Sequence, residues 1–582
     1  MDALKRLCLC LLALLASCEK RVEDHREAFP TPYEQGNGNT TATYEETLDF
    51  YMRLAREYPD INIQTLGPTD SQQPLHLVTY NPEGNFNFQR LGSDKIVVLI
   101  LNGIHPGEPD GIDASMMLMR DLAAGAVPVP KGVIPAVIPV YNIGGALQRN
   151  STTRANQNGP EAYGFRGNAR NYDLNRDFIK MDTHNAASFS DIFHLVRPDL
   201  FLDTHVSNGA DYSYTLTHLF TQQDKLGGAL GAFQEETLRP ELEAALEAKG
   251  WEMTPYVNVF NRSPETGFTQ FMDSPRYSTG YAALWDVPGL MLETHMLKPY
   301  PDRVAGTYEF LLSFLELAAR HKDTLKDLRQ QAQGRFGPGD YYPLGWQTDS
   351  TRMRTLLFKG YEAETPLSEV TGLPRLRYDH ARPYTREVPY YDGFRATDSV
   401  RVPTAYLVPR QWEAVRERMD RNRIRYEVLD RDTVLEVTAY RISGYQTYSM
   451  PYEGHYPHYG TRVAADTLQL AFREGDLLIP TQQPGVRYIL ETLEPQGVDS
   501  FFNWNFFDTV LQRKEGFSPY VFEDIAAQML AADSVLRQAF QEAREADPNL
   551  AGNGYAQLDW VYRHSPHYEP AHLRYPVFRL EK

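Results

Sequence analysis

Cysteine is almost absent from this chain. Of its 582 residues only three are cysteines, Cys8, Cys10 and Cys18, and all of them precede residue 19. The rest of the sequence therefore cannot form a disulfide, a zinc ribbon, an iron–sulfur site or a cysteine nucleophile.

An excess of positive charge is also lacking. Lys and Arg total 58 against 76 Asp and Glu, so the formal net charge is −18. A nucleic-acid partner needs a basic face, and this balance argues against one. The chain also has no Gly-x-x-x-x-Gly-Lys-Ser/Thr loop and no Gly-x-Ser-x-Gly elbow. Nucleotide-hydrolysing and serine-hydrolase functions therefore have no support.

Long hydrophobic runs are missing as well. The apolar run at residues 7–16 suits the core of a signal peptide and is too short to span a bilayer. It follows a short basic stretch and ends at Cys18 in the order Leu-Ala-Ser-Cys, which resembles the bacterial lipoprotein signal-peptidase box.

This N-terminal pattern predicts a lipoprotein signal peptide at residues 1–18, lipidation of Cys18, and a flexible polar tether at residues 19–40. The alternative is an ordinary secretory signal with incidental cysteines. We expect an extracytoplasmic protein that contacts a bacterial membrane only through its lipid anchor, on the periplasmic or surface face of the outer membrane.

The length of the chain exceeds a single ordinary core, and its composition of 42% apolar and 23% charged residues excludes a mostly disordered chain. Helical patterns alternate with β-branched runs up to about residue 330. This alternation favours an α/β domain at residues 41–330, with a mixed, mostly parallel sheet flanked by helices. Its buried strands are predicted at residues 96–101, 133–140, 200–205 and 289–294.

The sequence pattern changes near the glycine-rich segment at residues 334–339. Beyond it the chain is rich in tyrosine and in short alternating runs. We predict a C-terminal accessory domain, α+β or β-rich, at residues 340–582.

Three potential metal ligands follow two of the predicted strands. His105 and Glu108 come after the strand at 96–101, and His205 ends the strand at 200–205. In open α/β sheets, ligands bind outside the carboxyl ends of the strands. Two histidines and a glutamate are the ligand set of open catalytic zinc sites. The alternative is that both histidines are loop residues with local hydrogen bonds.

A further motif lies between these ligands. Residues 164–178 are Gly-Phe-Arg-Gly-Asn-Ala-Arg-Asn-Tyr-Asp-Leu-Asn-Arg-Asp-Phe. His-x-x-Glu precedes this segment, and a distant histidine and then Glu293 on a late strand follow it. In this order of motifs the chain resembles the metallocarboxypeptidase family of the carboxypeptidase A type. The resemblance covers roughly residues 41–325 and implies one bound Zn²⁺.

The resemblance also implies roles for the matching residues. His105, Glu108 and His205 would hold the zinc ion. Glu293 would be the general base that takes a proton from zinc-bound water and passes it to the leaving amine. The alternative is that Glu293 is an ion-paired carboxylate at a strand end. Asp173 would orient a zinc-binding histidine.

Several polar residues would contact the substrate if the resemblance holds. Arg166 would stabilise the developing oxyanion, with Arg149 and Arg154 as alternatives. Asn175 and Arg176 would bind the terminal carboxylate of the substrate, which a planar guanidinium binds through two hydrogen bonds.

The sequence departs from the family where a substrate-binding tyrosine is expected. That position is Phe271, and the nearest tyrosines are Tyr277 and Tyr281. Either of them would bind substrate through a reshaped loop, or neither does. Arg276 would attract an acidic substrate or is a surface arginine, and Asp203 would orient a zinc-binding histidine or cap a loop.

Other patterns in the C-terminal half are weaker. His455 with His458, and His564 with His567, have the spacing of metal ligands but no acidic partner pattern. The aromatic cluster at residues 501–507 is predicted to pack between the two domains, or otherwise to stack against a sugar or a peptide.

We therefore expect a lipid-anchored zinc metallocarboxypeptidase that hydrolyses C-terminal residues from peptides with a free carboxylate. One alternative is a zinc amidase or deacylase that acts on a modified amino acid or a cell-wall peptide. The other is a non-catalytic lipoprotein that binds peptide or glycan.

Overall fold

The computed structural model describes residues 25–128 and 130–581, which form two compact units. Unit 1 contains the described residues up to Arg401 together with 417–424 and 482–491. Unit 2 contains 402–416, 425–481 and 492–581. Unit 1 extends past residue 330, the predicted end of the catalytic domain. Compact units need not coincide with domains, so the predicted domain limits stay predictions.

The strands follow one another along both units. In unit 1 they are β1 (Ile61–Pro68), β2 (Pro74–Tyr80), β3 (Ile96–Leu101), β4 (Val133–Ile138), β5 (Leu200–Ser207), β6 (Leu216–Phe220), β7 (Met253–Pro255), β8 (Phe268–Thr269), β9 (Gly289–His295), β10 (Tyr341–Thr348), β11 (Arg354–Glu364), β12 (Arg377–Tyr391) and β13 (Phe394–Arg401). In unit 2 they are β14 (Ala405–Val408), β15 (Glu427–Val428), β16 (Thr433–Thr447), β17 (His458–Phe472), β18 (Leu477–Pro480) and β19 (Arg574–Leu580).

The α-helices precede β1 or lie between the later strands. They are α1 (His25–Ala28), α2 (Pro32–Gln35), α3 (Tyr44–Glu57), α4 (Asp110–Ala123), α5 (Ile143–Leu147), α6 (His184–Val196), α7 (Gln223–Leu226), α8 (Gly228–Phe233), α9 (Arg239–Ala248), α10 (Ser278–Ala283), α11 (Tyr300–Gln333), α12 (Glu413–Arg421), α13 (Val486–Leu493), α14 (Pro519–Ala532), α15 (Ser534–Ala546), α16 (Pro548–Ala551) and α17 (Gly554–Arg563). Within the described ranges, none of the helices has the length and apolar character that a membrane crossing requires.

The main sheet of unit 1 has the strand order β1-β2-β4-β3-β5-β9-β6-β7. The neighbours β4–β3, β3–β5, β5–β9 and β6–β7 are parallel, and the remaining pairs are antiparallel. Every residue of β3, β4 and β5 is buried, as continuous apolar strands covered on both faces should be. The predicted fold class, a mixed and mostly parallel sheet with helices, is confirmed.

The strand ends position the candidate site. The predicted strand at 96–101 is β3, and those at 200–205 and 289–294 lie within β5 and β9. Because β3, β5 and β9 are adjacent and parallel, their carboxyl ends meet at one edge of the sheet. The side chains that follow or end these strands therefore lie near one another.

Additional β structure lies beyond α11. In unit 1, β11 and β12 form a long antiparallel hairpin that β8 extends, and buried rings such as Phe358, Tyr384 and Tyr390 pack with Tyr212 and Phe268. Unit 2 has a sheet of order β15-β18-β14-β19-β16-β17 and the helices α14 to α17. The C-terminal region is thus rich in β structure and also contains helices, as predicted.

The N-terminal segment corrects one prediction. Residues 25–40, expected to be flexible tether, contain α1 and α2, and Thr31 is fully buried and caps α2 together with Glu34. Arg120 of α4 is buried and donates hydrogen bonds to Glu34 Oε2 at 2.7 Å and to the Phe29 carbonyl at 3.1 Å. These contacts hold the segment against α4 within unit 1. The predicted signal peptide and Cys18 lie outside the described residues.

Candidate metal centre and active site

Two histidines and a glutamate converge at the carboxyl ends of β3 and β5. His105 Nδ1 lies 3.2 Å from Glu108 Oε2, and His205 Nδ1 lies 2.9 Å from the same oxygen. The three ligand atoms lie within 4.8 Å of one another, and all three residues are buried. The structure therefore brings together the three residues that were predicted from the sequence to be metal ligands.

The second nitrogen of each histidine contacts another carboxylate. His105 Nε2 lies 3.0 Å from Asp173 Oδ1, and His205 Nε2 lies 2.8 Å from Asp203 Oδ2. When Nε2–H donates to a carboxylate, the lone pair on Nδ1 is available for a cation. Both Nδ1 atoms face Glu108. The donor set of two imidazoles and a carboxylate thus fits Zn²⁺.

Electrostatics also favour a cation at this position. Burial acts to raise the pKa of Glu108, but Arg154 and the two histidines hold it well below its usual range. Burial acts to lower the pKa of His205, but Asp203 and Glu108 raise it well above its usual range. The carboxylates of Glu108 and Asp203 therefore stabilise positive charge at His205, which a bound divalent cation would supply in place of the imidazole proton.

Glu293 lies beside the candidate metal site. It is near the end of β9, where the parallel register with β5 places it opposite His205. Burial, reinforced by the charges of Glu108 and Asp203 and opposed by His205, raises the pKa of Glu293 to about 8. A carboxyl group that titrates near neutral pH can take up and release a proton during a reaction.

A cavity of about 430 Å³ opens onto these residues. Its walls combine charged, polar and apolar side chains: His105, Glu108, Arg166, Asn175, Arg176, His205, Val206, Ser207, Asn208, Leu219, Tyr256, Asn258, Phe260, Phe271, Tyr277, Met291 and Glu293. The candidate metal ligands, the candidate base and the two candidate carboxylate-binding residues thus share one space.

The three candidate arginines have different surroundings. Arg166 lines the cavity and donates to Asp173 Oδ2 through Nε at 3.0 Å and Nη2 at 2.8 Å. Arg154 Nη2 lies 2.6 Å from Glu108 Oε1 and so pairs with a candidate metal ligand. Arg149 instead donates to the carbonyls of residues 41 and 42. Among the three, Arg166 is the arginine that faces the cavity.

The candidate carboxylate-binding pair lies on a 3₁₀ turn, Leu174–Arg176. Asp173 caps this turn by accepting a hydrogen bond from the Asn175 backbone amide at 2.9 Å. Arg176 Nη1 donates to the Asn175 carbonyl at 2.7 Å, and its guanidinium lies 4.5 Å from the centre of the Tyr277 ring. These contacts hold the Arg176 guanidinium at the cavity wall.

The two candidate tyrosines differ in position. Tyr277 lines the cavity and packs against Phe271, with ring centres 4.9 Å apart. The prediction that Tyr281 contacts substrate is wrong, because its side chain is fully buried on α10 and its hydroxyl donates to Asn422 Oδ1 at 2.7 Å. Arg276 is not among the lining residues of the cavity.

Several lining residues were not identified from the sequence. Met291 precedes Glu293 by two residues on β9 and therefore shares its face, a pattern that strand alternation could have revealed. Asn208 follows His205 by three residues. No local sequence pattern predicts that Tyr256 and Phe260 line the cavity, because their position depends on the pairing of β7 with β6.

The weaker candidates in unit 2 have structural contacts. His458 lies 2.8 Å from Thr447 Oγ1 and 3.0 Å from Asp508 Oδ1, and His564 Nδ1 lies 2.7 Å from the Trp560 carbonyl. Within the described ranges, only His105, Glu108 and His205 form a group that could hold a metal ion. In the aromatic cluster at residues 501–507, Phe501, Phe502, Trp504 and Phe507 are buried, so these rings are not a stacking surface.

Known proteins are similar to this chain at low identity. "Carboxypeptidase 2" of Trichophyton rubrum is 21% identical over 485 residues, covering 80% of this chain and 84% of that protein. "Carboxypeptidase 2" of Trichophyton tonsurans is 21% identical over 489 residues, with the same coverage. No protein-family model matches the chain.

Solved structures also show partial overlap. A metallo-carboxypeptidase from Burkholderia cenocepacia has a TM-score of 0.36 and 18% identity, covering 49% of this chain and 70% of that one. Carboxypeptidase A from Helicoverpa armigera has a TM-score of 0.37 and 15% identity, covering 48% of this chain and 74% of that one.

The sequence relatives and the buried His–Glu–His group together support a metallopeptidase, an enzyme of the hydrolase class. Within that class, they support a zinc-carboxypeptidase-like family.

Proposed function

We propose that this protein is a zinc-dependent metallocarboxypeptidase that removes C-terminal residues from peptides outside the cytoplasm. The observation that carries the proposal is the shared cavity: the His–Glu–His group, Glu293 and the Asn175–Arg176 pair all line it. The carboxypeptidase relatives support the same activity.

The chemistry at the reacting centre would come from two sources. His105, Glu108 and His205 would hold one Zn²⁺, which activates water and polarises the scissile carbonyl. Glu293 would accept a proton from the attacking water and transfer it to the departing amine. One carboxyl group can serve both steps, because its ionised form is a base and its protonated form is an acid.

The substrate would be positioned by the charged wall of the cavity. Arg176, fixed by Asn175 and Tyr277, would bind the terminal carboxylate through two N–H donors. Arg166, held by Asp173, would donate to the oxygen that gains negative charge during attack. Internal or amidated peptides lack the carboxylate that Arg176 would bind.

The remaining walls support a preference for apolar C-terminal residues. Leu219, Phe260, Phe271 and Met291 line the cavity. The charged side chains among the lining residues all belong to the candidate catalytic and carboxylate-binding set. A terminal lysine, arginine or acidic side chain of the substrate would therefore find no further oppositely charged partner in the cavity. An apolar terminal side chain would instead be buried against apolar walls.

The proposal is tested by metal analysis and by digestion of a peptide library followed by mass spectrometry. We expect one zinc per chain and stepwise loss of C-terminal residues, with apolar residues released fastest. Replacing Glu293 by Gln should lower kcat by about 10²–10⁴-fold while zinc content is kept, because the proton acceptor is lost.

A matched control is Glu265→Gln, which removes a carboxylate outside the cavity. It should leave kcat unchanged. Equal activity of wild type and Glu293→Gln on every substrate would contradict the mechanism. Activity on amidated C-termini, at the rate seen for free ones, would instead favour the amidase alternative.

A further inference from the structure

Tyr256 occupies a position in the cavity that the proposed mechanism leaves without a role. It follows β7, where its backbone amide donates to the His218 carbonyl at 2.9 Å. This parallel pairing places Tyr256 beside Leu219 of β6, which pairs with Met291 of β9. The side chains of these three residues all line the cavity.

The same register relates Tyr256 to the candidate base. Met291 and Glu293 are two residues apart on β9 and therefore point to the same face of the sheet. Tyr256, Leu219 and Met291 lie side by side across three neighbouring strands, and Glu293 is one position further along the same face of β9. Tyr256 and Glu293 both line the cavity. Tyr277, in contrast, contacts Arg176 at the carboxylate-binding wall.

The hydroxyl of Tyr256 is available to a ligand. Other tyrosines around the site have partners, as Tyr212 does with Ser207 at 3.1 Å. Among the described residues, none forms a hydrogen bond with the Tyr256 hydroxyl, and the side chain is only half-buried. Burial and the nearby charges of Glu293 and Glu108 raise the pKa of Tyr256, so the phenol stays protonated and is a hydrogen-bond donor.

We propose that the Tyr256 O–H donates a hydrogen bond to the reacting amide of the bound peptide, on the Glu293 side of the cavity. The phenol keeps its proton throughout, and its contribution is to stabilise the negative charge that develops on the carbonyl oxygen of this amide as water attacks. This inference rests on the proposed peptidase function and adds to it a catalytic residue.

The test is the steady-state kinetics of Tyr256→Phe on an N-blocked dipeptide with an apolar C-terminal residue. The variant keeps the ring and removes only the donor. We expect kcat to fall about tenfold, with KM within about twofold of wild type, because the bond is used mainly in the transition state. Tyr341→Phe, which alters an exposed tyrosine outside the cavity, should match wild type.

Two results would overturn the inference while the proposed function stands. The first is an unchanged kcat for Tyr256→Phe when Glu293→Gln is inactive. The second is a raised KM with an unchanged kcat, because this would place the phenol at a site of ground-state binding. A wild-type protein that cleaves no peptide would overturn both proposals. Matching thermal unfolding of Tyr256→Phe and wild type excludes misfolding as the cause of any loss.

Discussion

At the scale of single residues, the candidate metal centre depends on carboxylates that are not ligands. Asp173 and Asp203 each contact the Nε2 atom of one histidine, and Asp203 is fully buried. Such partners fix the tautomer and the orientation of the ring. The buried position of Asp203 also excludes the loop-cap alternative, because the residue lies within β5.

We predict that Asp203→Asn weakens zinc binding by about 10–100-fold, because an amide is a poorer partner for the imidazole N–H than a carboxylate. Chelator competition titration measures the change. Asp211→Asn is the matched control: Asp211 contacts His295 and His380 rather than a candidate ligand. Equal zinc affinity of Asp203→Asn and wild type would contradict the prediction.

A second residue-scale prediction concerns Arg176. Replacing it by Ala should raise KM for peptides with a free C-terminus by about 10–100-fold, because a charge-assisted pair of hydrogen bonds to the carboxylate is lost. Arg170→Ala, an exposed arginine on the same segment that is not part of the cavity wall, should leave KM unchanged. An unaltered KM for Arg176→Ala would indicate that the substrate carboxylate binds elsewhere.

At the scale of elements, the strands that carry the candidate site were predictable and the loops were not. The apolar runs of β3, β5 and β9 are local signals, so His105, His205 and Glu293 could be assigned to strand ends. Tyr256 reaches the cavity only because β7 pairs with β6, and such long-range pairing leaves no mark in the local sequence. Tyr281 was misassigned because every residue of α10 is buried, and the sequence of this short helix does not show that it is enclosed on all sides.

The helix α6 provides an element-scale prediction on pH. Burial, with Arg423 and Arg197 nearby, lowers the pKa of His194 to about 4, and its ring packs against Trp285 with centres 4.5 Å apart. Below the unfolded pKa of about 6.5, the unfolded chain binds a proton that the folded chain does not. The free energy of unfolding should therefore fall by about 1–2 kcal/mol from pH 7.5 to pH 5 through this residue.

Urea unfolding of wild type and His194→Gln at the two pH values measures this effect. The variant should lose less stability than wild type on acidification. His184→Gln, a change at an exposed histidine of the same helix, should behave as wild type does. An identical loss of stability in wild type and His194→Gln would contradict the assignment to this residue.

At the scale of the whole molecule, the proposed lipid anchor can be tested directly. We propose, from the Leu-Ala-Ser-Cys order alone, that Cys18 is lipidated. Cys18→Ala should move the protein from the membrane fraction to the soluble fraction and abolish labelling by a radioactive fatty acid. Cys10→Ala should remain in the membrane fraction, since that residue would be removed with the signal peptide. Identical partitioning of the two variants would contradict the anchor.

The packed N-terminal segment gives the proposed anchor a geometric consequence. Only residues 19–24 separate Cys18 from His25, whose side chain lies against Asp121 of unit 1. Even fully extended, the seven residue steps from Cys18 to His25 reach about 25 Å. A chain lipidated at Cys18 would therefore keep the His25 end of unit 1 within that distance of the bilayer surface. The enzyme would then act within a thin aqueous layer next to the membrane. Peptides that collect at the membrane would encounter it far more often than peptides in bulk solution.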